Sequence, residues 1–233
     1  MKKPHNALPR RVLDYDRFRL LWNRCLLDSA KDESSAIHRH LTDSYSEPQR
    51  YYHTLDHIEH CLSLFDKICS EVENPEALEL AIWYHDVVYT PGAKDNEQLS
   101  ADLFMATSHG VFDDAQRDTI YRHIMATVHD GSEYGNTDTQ FMLDIDLSSF
   151  GRPWPEFIQD SDNLRLEMKD QPDEVFYQKQ ATFQDKLFGQ PRFFKSDYFY
   201  QKYEIQARQN RSDYFESIRK KCSPVDESGS TLN

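Results

Sequence analysis

Three stretches of the chain place imidazoles and carboxylates where a helical core would bury them. His85 follows Leu78 by seven positions, Ala81 by four and Ile82 by three, which puts its ring on the apolar face of one helix with Asp86 next in line. His57 precedes Cys61 by four, Leu64 by seven and Ile68 by eleven, near the inner edge of another helix. Asp144 and Asp146 interrupt the apolar run of Phe141, Met142, Leu143, Ile145 and Leu147. A buried, unpaired carboxylate is costly, so such groups must be paired or must bind a cation. Taken singly, each imidazole reads as a satisfied core residue. Taken as a set, His57, His85, Asp86, Asp144 and Asp146 read as donors to a metal. Mixed imidazole and carboxylate ligands suit Mn²⁺, Fe²⁺, Co²⁺, Ni²⁺ or Zn²⁺.

The elements that must position these groups are helices. Phe18, Leu21, Trp22, Cys25 and Leu26 form one apolar stripe, and Ile37 with Leu41 marks a shorter helix ended by Glu47-Pro48. The His57 helix begins near Thr54 or Asp56, with Asp56 and Glu59 spaced as a capping box, and carries Ile58, Cys61, Leu62, Phe65, Ile68 and Cys69 inward. Asn74-Pro75 opens the His85 helix and Thr90-Pro91-Gly92 stops it. A helix over 96–108 buries Leu99, Leu103, Met105 and Ala106, and one over 114–128 buries Ile120, Ile124 and Val128. After a polar loop at 131–139, the two aspartates sit in a short helix over 141–150, closed by Gly151-Arg152-Pro153. Helices over 155–169, 173–188 and 197–220 follow. No alternating strand or internal repeat occurs, so the expected fold is all-α: a helical bundle with additional C-terminal helices. One domain over 12–220 is expected, with the metal-binding core at about 50–150, a C-terminal extension at about 155–220, and flexible tails at 1–11 and 223–233.

Composition narrows the function. Of 233 residues, 27 are Lys or Arg and 40 are Asp or Glu, a net charge of −13 that repels nucleic-acid backbones. A small phosphorylated substrate needs only a local positive site and is not excluded. The seven glycines disfavour sheet and phosphate-loop folds, and neither a GxGxxG nor a GxxxxGK[ST] motif is present. No run of 18 apolar residues and no secretory h-region occurs, so a cytoplasmic, non-membrane protein is expected. The four cysteines form no CxxC pair, with Cys61 and Cys69 read as small core hydrophobes.

The order His…His-Asp…Asp resembles the HD superfamily of metal-dependent phosphohydrolases, and more closely a bacterial subfamily predicted to have that activity. The motifs that carry the resemblance are 50-RYYHTLDH-57, 83-WYHDVVY-89, Asn96-Glu97-x-x-Ser100-Ala101, Thr127-Val128-His129, 143-LDIDL-147 and Ala207-Arg208-Gln209-Asn210. It spans roughly residues 15–215.

The resemblance implies an HD-domain helical bundle holding a divalent ion (Mn, Fe, Co, Ni, Zn or Mg) through His57, His85, Asp86 and Asp146. Asp146 is preferred to Asp144 because the family's ligand is usually the second Asp of such a pair, and Asp144 and Asn96 then support the ligands from behind. His53 is the alternative to His57 as ligand, and otherwise a substrate contact. The implied activity is hydrolysis of a small phosphorylated molecule, nucleotides included, by a metal-activated water. Asp86 bridges ion and water in this scheme. Glu97 acts as base or positions the nucleophile, unless it is only a first-turn helix glutamate. His129 protonates the leaving group or binds phosphate, unless it is only the polar end of its helix. Arg50 and Lys94 are the best-placed cations for the phosphate. A homodimer is allowed.

Two departures from the family stand out. Val87, Val88 and Tyr89 stand where some HD nucleotidases carry a glutamate, and Lys179-Gln180 stands where a Gly-Arg pair is expected. Two further functions are compatible with the motifs. A di-iron HD-type oxygenase would need two more His ligands, from His109, His123 and His129. A non-catalytic module would keep the metal for structure or sense a nucleotide.

Overall fold

A computed structural model of the chain describes residues 14–130, 132 and 135–222, with side chains through 219. The expected tails at 1–11 and 223–233 lie outside the described residues, as does part of the 131–139 loop. Among the described residues there are ten α-helices, two 3₁₀ turns and no strand, an all-α fold.

Helix α1 (Tyr15–Cys25) packs on α2 (Ser34–Ser44) and on α4 (Pro75–Tyr84). Asp14 caps α1 by accepting from the Arg17 N–H, and Phe18, Leu21, Trp22 and Cys25 are all buried, the stripe their spacing predicts. Asn74 caps α4 through the Ala77 N–H with Pro75 in the first turn. α4 is buried on every side, which suits a central helix. Helices α3 (Leu55–Ile68) and α7 (Thr137–Asp146) flank it, and α5 (Asn96–Ser108) and α6 (Asp114–Ala126) close the far side.

Several expected boundaries shift. α3 starts at Leu55 behind Thr54, and no side-chain cap forms, so Asp56 and Glu59 are not a capping box. Because α3 ends at Ile68, Cys69 falls on a 3₁₀ turn and is exposed, whereas Cys61 is in the core. α7 starts and ends four residues early, and 147–151 is a 3₁₀ turn. α6 ends at Ala126, leaving Val128 exposed.

The buried face of α5 also differs. Asn96, Ser100, Ala101, Phe104 and Ser108 point inward, while Leu99 is 43% exposed. Small and polar groups win here because each is satisfied: Ser100 Oγ accepts from the Val88 N–H, and Ser108 Oγ accepts from Arg117.

The C-terminal helices α8 (Trp154–Glu167), α9 (Asp173–Phe188) and α10 (Asp197–Cys222) complete the bundle. Phe188, Phe193, Phe194, Phe199 and Ala207 join the same core as α1–α7. α10 lies against the 147–151 turn. A Cβ at Gly151 would stand 2.6 Å from Tyr203 Cβ, so that turn needs glycine. Asn210, fully buried, donates to the Phe150 and Arg152 carbonyls, both at 2.8 Å, which explains its motif as a clamp on the same turn.

Candidate metal centre

Arg50 decides where α4 ends. Its buried guanidinium donates to the Asp86 carbonyl at 2.7 Å, the Val87 carbonyl at 2.8 Å and the His53 carbonyl at 3.2 Å, between the rings of Tyr45 and Tyr89. Carbonyls that a longer helix would keep are taken by these donors, so α4 stops at Tyr84, well before Thr90-Pro91-Gly92. His85 and Asp86 then project together from the helix end. Arg50 is therefore occupied by the backbone and is not free for a phosphate. Lys94 is exposed on the following loop and does not line the cavity described below.

His57 on the first turn of α3, His85 and Asp86 after α4, and Asp146 at the end of α7 converge. One donor atom from each lies within 4.8 Å of all the others, the one such group among the described residues. His57 Nε2 is 3.2 Å from His85 Nε2, 3.6 Å from Asp86 Oδ2 and 3.5 Å from Asp146 Oδ1. His85 Nε2 is 3.0 Å from Asp86 Oδ2 and 3.4 Å from Asp146 Oδ1. Donors about 2.1 Å from a tetrahedral ion stand about 3.4 Å apart, so these separations fit a divalent cation. His85 Nδ1 donates to the Ile82 carbonyl at 2.9 Å, which turns the Nε2 lone pair toward the group.

The electrostatics agree. Burial alone would depress the His85 pKa, but Asp86 and Asp146 outweigh it and raise it well above the ordinary imidazole value. Burial would likewise raise both aspartates, yet His85 above all for Asp86, and His129, His57 and His85 for Asp146, hold them well below the usual carboxylate range. Each carboxylate and imidazole of the cluster thus favours the charged form of its neighbour.

Asp144 faces the other way. Two positions on a helix are about 200° apart, so it points from α7 toward the start of α10. There it accepts from the Lys195 N–H at 2.7 Å, the Ser196 N–H at 2.7 Å and the Ser196 hydroxyl at 2.6 Å. Burial pushes its pKa up to about 6 against those bonds. Asn96 exchanges two hydrogen bonds with the Thr90 backbone and holds the loop between α4 and α5.

A cavity of about 210 Å³ opens over Asp86 and Asp146. His53, Glu97, Thr127 and His129 form its polar walls, Leu164, Gln180 and Phe183 its α8–α9 side, and Phe150 enters from the 147–151 turn. His129 Nε2 lies 2.8 Å from Asp146 Oδ2, so the two oxygens of Asp146 are divided between His129 and the ligand imidazoles. His129 adopts φ +51°, a conformation that non-glycine residues rarely take and that is common at functional sites. Glu97 reaches the cavity from the first turn of α5, and burial, then Asp86 and Asp146, raise its pKa.

Glu167, which spacing did not single out, organises the His53 wall. Its Oε1 accepts from the N–H groups of Tyr51, Tyr52 and His53, and its Oε2 from His53 Nδ1 and the Tyr89 hydroxyl, both at 2.7 Å. Its one sequence signal is an acidic residue in the last turn of a helix, where the macrodipole disfavours it. Gln180, at the departure from the expected Gly-Arg pair, faces the cavity, while Lys179 Nζ bonds to Gln171 outside it.

No family model, curated protein or solved structure matches the chain. Three further histidines among the described residues lie away from the four-residue cluster. His109 is exposed at the end of α5, His60 contacts the Ser148 hydroxyl, and His123 bonds to Thr139 Oγ1. His38 is buried against Tyr15, Phe18 and Trp83.

Proposed function

We propose that the chain is a metal-dependent phosphohydrolase of the HD type, acting on a small phosphorylated molecule. The observation that carries this reading is the convergence of His57, His85, Asp86 and Asp146 under a cavity with further proton-bearing groups on its walls. A divalent ion held by these four would lower the pKa of a water and polarise a phosphoryl oxygen. The protein's own groups supply the rest. Glu97, with its raised pKa, takes a proton from the nucleophile's side of the cavity. His53, held by Glu167 through Nδ1, would hydrogen-bond the phosphate oxygens from the cavity wall. His129, anchored on Asp146 at the cavity wall, would bind the phosphate or protonate the leaving group. Arg50 and Lys94 have no part in this scheme.

A single ion is favoured over a di-iron centre. The oxygenase needs two further His ligands, and of the three available only His129 approaches the cluster.

The test is phosphate release from a panel of phosphate mono- and diesters by the purified protein supplied with Mn²⁺, Zn²⁺, Mg²⁺, Co²⁺, Ni²⁺ or Fe²⁺. Turnover that depends on metal and disappears in Asp86→Ala, with the helical circular dichroism unchanged, is expected. Silence across the panel from a folded, metal-loaded sample overturns the activity. Stabilisation by a nucleotide without turnover points instead to a non-catalytic binding module.

A further inference from the structure

A cavity of about 310 Å³ lies between α7 and the connection from α9 to α10, and none of its described lining residues lines the metal-facing cavity. Small-molecule sites begin at about 300 Å³. Gln140 and Leu143 form its α7 side, residues 190–192 and Lys195 its other wall, and Ser132 completes it. The chain has 40 acidic residues against 27 basic ones, yet this described lining holds two cations and no carboxylate. Both cations are held in place. Arg192 Nη2 donates to Asp197 Oδ1 at 2.9 Å and to the Ser196 carbonyl at 3.2 Å, and its guanidinium lies over the Tyr200 ring. The Asp197 side chain is 82% exposed, so solvent screens it and the charge of Arg192 is only partly offset. Arg192 Nε is buried and has no hydrogen-bond partner in the protein. A buried N–H without an acceptor costs stability, and native folds keep few of them. Lys195 Nζ donates to Gln190 Oε1 and to the Arg192 carbonyl. The Lys195 and Ser196 N–H groups donate to Asp144, which fastens this cation-bearing segment to α7.

We infer that this cavity binds a small dianion, a phosphate or a dicarboxylate, at a site separate from the metal centre. The chemistry favours an anion over other ligands. A cation would meet two like charges, and a neutral molecule would leave both without compensation in a half-buried space. A guanidinium offers a planar fork to an oxyanion, and an ammonium adds a point charge. Gln140 and Ser132 supply neutral polar groups around them. The inference does not rest on the phosphohydrolase reading and stands if that reading fails.

Calorimetric titration of the full-length protein with inorganic phosphate and with succinate, at fixed ionic strength, tests it. At least one of the two is expected to bind the wild type, and to bind Asp86→Ala, which lacks a metal-cluster carboxylate, with the same affinity. Arg192→Gln is expected to weaken that binding by about tenfold or more, the worth of a charge-assisted hydrogen bond. Gln140→Glu places a carboxylate in the cavity and should weaken it as much. Its position near the start of α7 suits an acidic residue, so this variant keeps the test open should Arg192→Gln fail to fold. Binding of phosphate alone makes this a phosphate site, and binding of succinate alone a carboxylate site. Binding of neither anion, affinity unchanged in the cavity variants, or binding that is lost only in Asp86→Ala overturns the inference.

Discussion

Glu167 Oε2 lies 2.7 Å from His53 Nδ1, an ion pair between the last turn of α8 and the loop that leads into α3. Burial would raise the Glu167 pKa, but His53, the backbone N–H groups and Tyr89 outweigh it and bring it down to about 2. Burial would lower the His53 pKa, and Asp86 and Glu167 outweigh it and raise it. The pair ties α8 to the loop that carries His53 along the cavity wall.

That pair has a pH signature. Glu167 titrates near 4.5 when unfolded and near 2 when folded, so its contribution is complete above about pH 4.5 and is lost as pH falls toward 2. With the side chain fully buried, the linkage is worth about 3 kcal/mol. Urea unfolding of Glu167→Gln is expected to show a deficit of that order at pH 7 that shrinks toward pH 3. A deficit constant over that range would show that the ion pair contributes nothing.

Metal binding is expected to stabilise the fold. A ligand at one hundred times its Kd adds about 2.7 kcal/mol, and a chain of this size gains about 2–4 °C in Tm for each kcal/mol. Thermal melts with Mn²⁺ or Zn²⁺ should therefore rise by several degrees for the wild type and hardly move for Asp146→Asn or His85→Ala. An undiminished shift in both variants would place the ion elsewhere.

His123 predicts acid sensitivity far from the centre. Burial holds its pKa down to about 4, so the folded chain refuses a proton that the unfolded chain accepts below about 6.5. Stability falls between about pH 6.5 and 4, by up to about 3 kcal/mol from this group. His123→Gln should flatten the decline by that amount in denaturant titrations at pH 7, 5.5 and 4.5. His60, also held near 4 by burial, leaves a residual slope.

The turn beneath the cavity tolerates little change. Gly151→Ala drives a methyl group into Tyr203, and Asn210→Ala strands the carbonyls of Phe150 and Arg152. Each is expected to cost about 1–3 kcal/mol in chemical denaturation. A loss below about 0.5 kcal/mol would mean that the turn relaxes freely away from α10.

Much of this protein was legible in its residue order. Apolar spacing determined the helices and their inward faces wherever a long side chain met a simple stripe, as with Phe18, Leu21 and Trp22. Spacing also put His57 and His85 on inner faces, because a helix maps three- and four-residue intervals onto one side. Tertiary structure alone decided the rest. Whether Asp144 or Asp146 meets the imidazoles depends on how far α7 is rotated against α3 and α4, and local sequence carries no information on that angle. Arg50 reads as a free loop cation until the end of α4 is brought against it. Glu167 acts on groups more than a hundred positions away. Local propensity acts over a few residues, whereas charge pairing and burial act through space. The net charge of −13 reads as surface until the fold gathers Asp86 and Asp146 at one point.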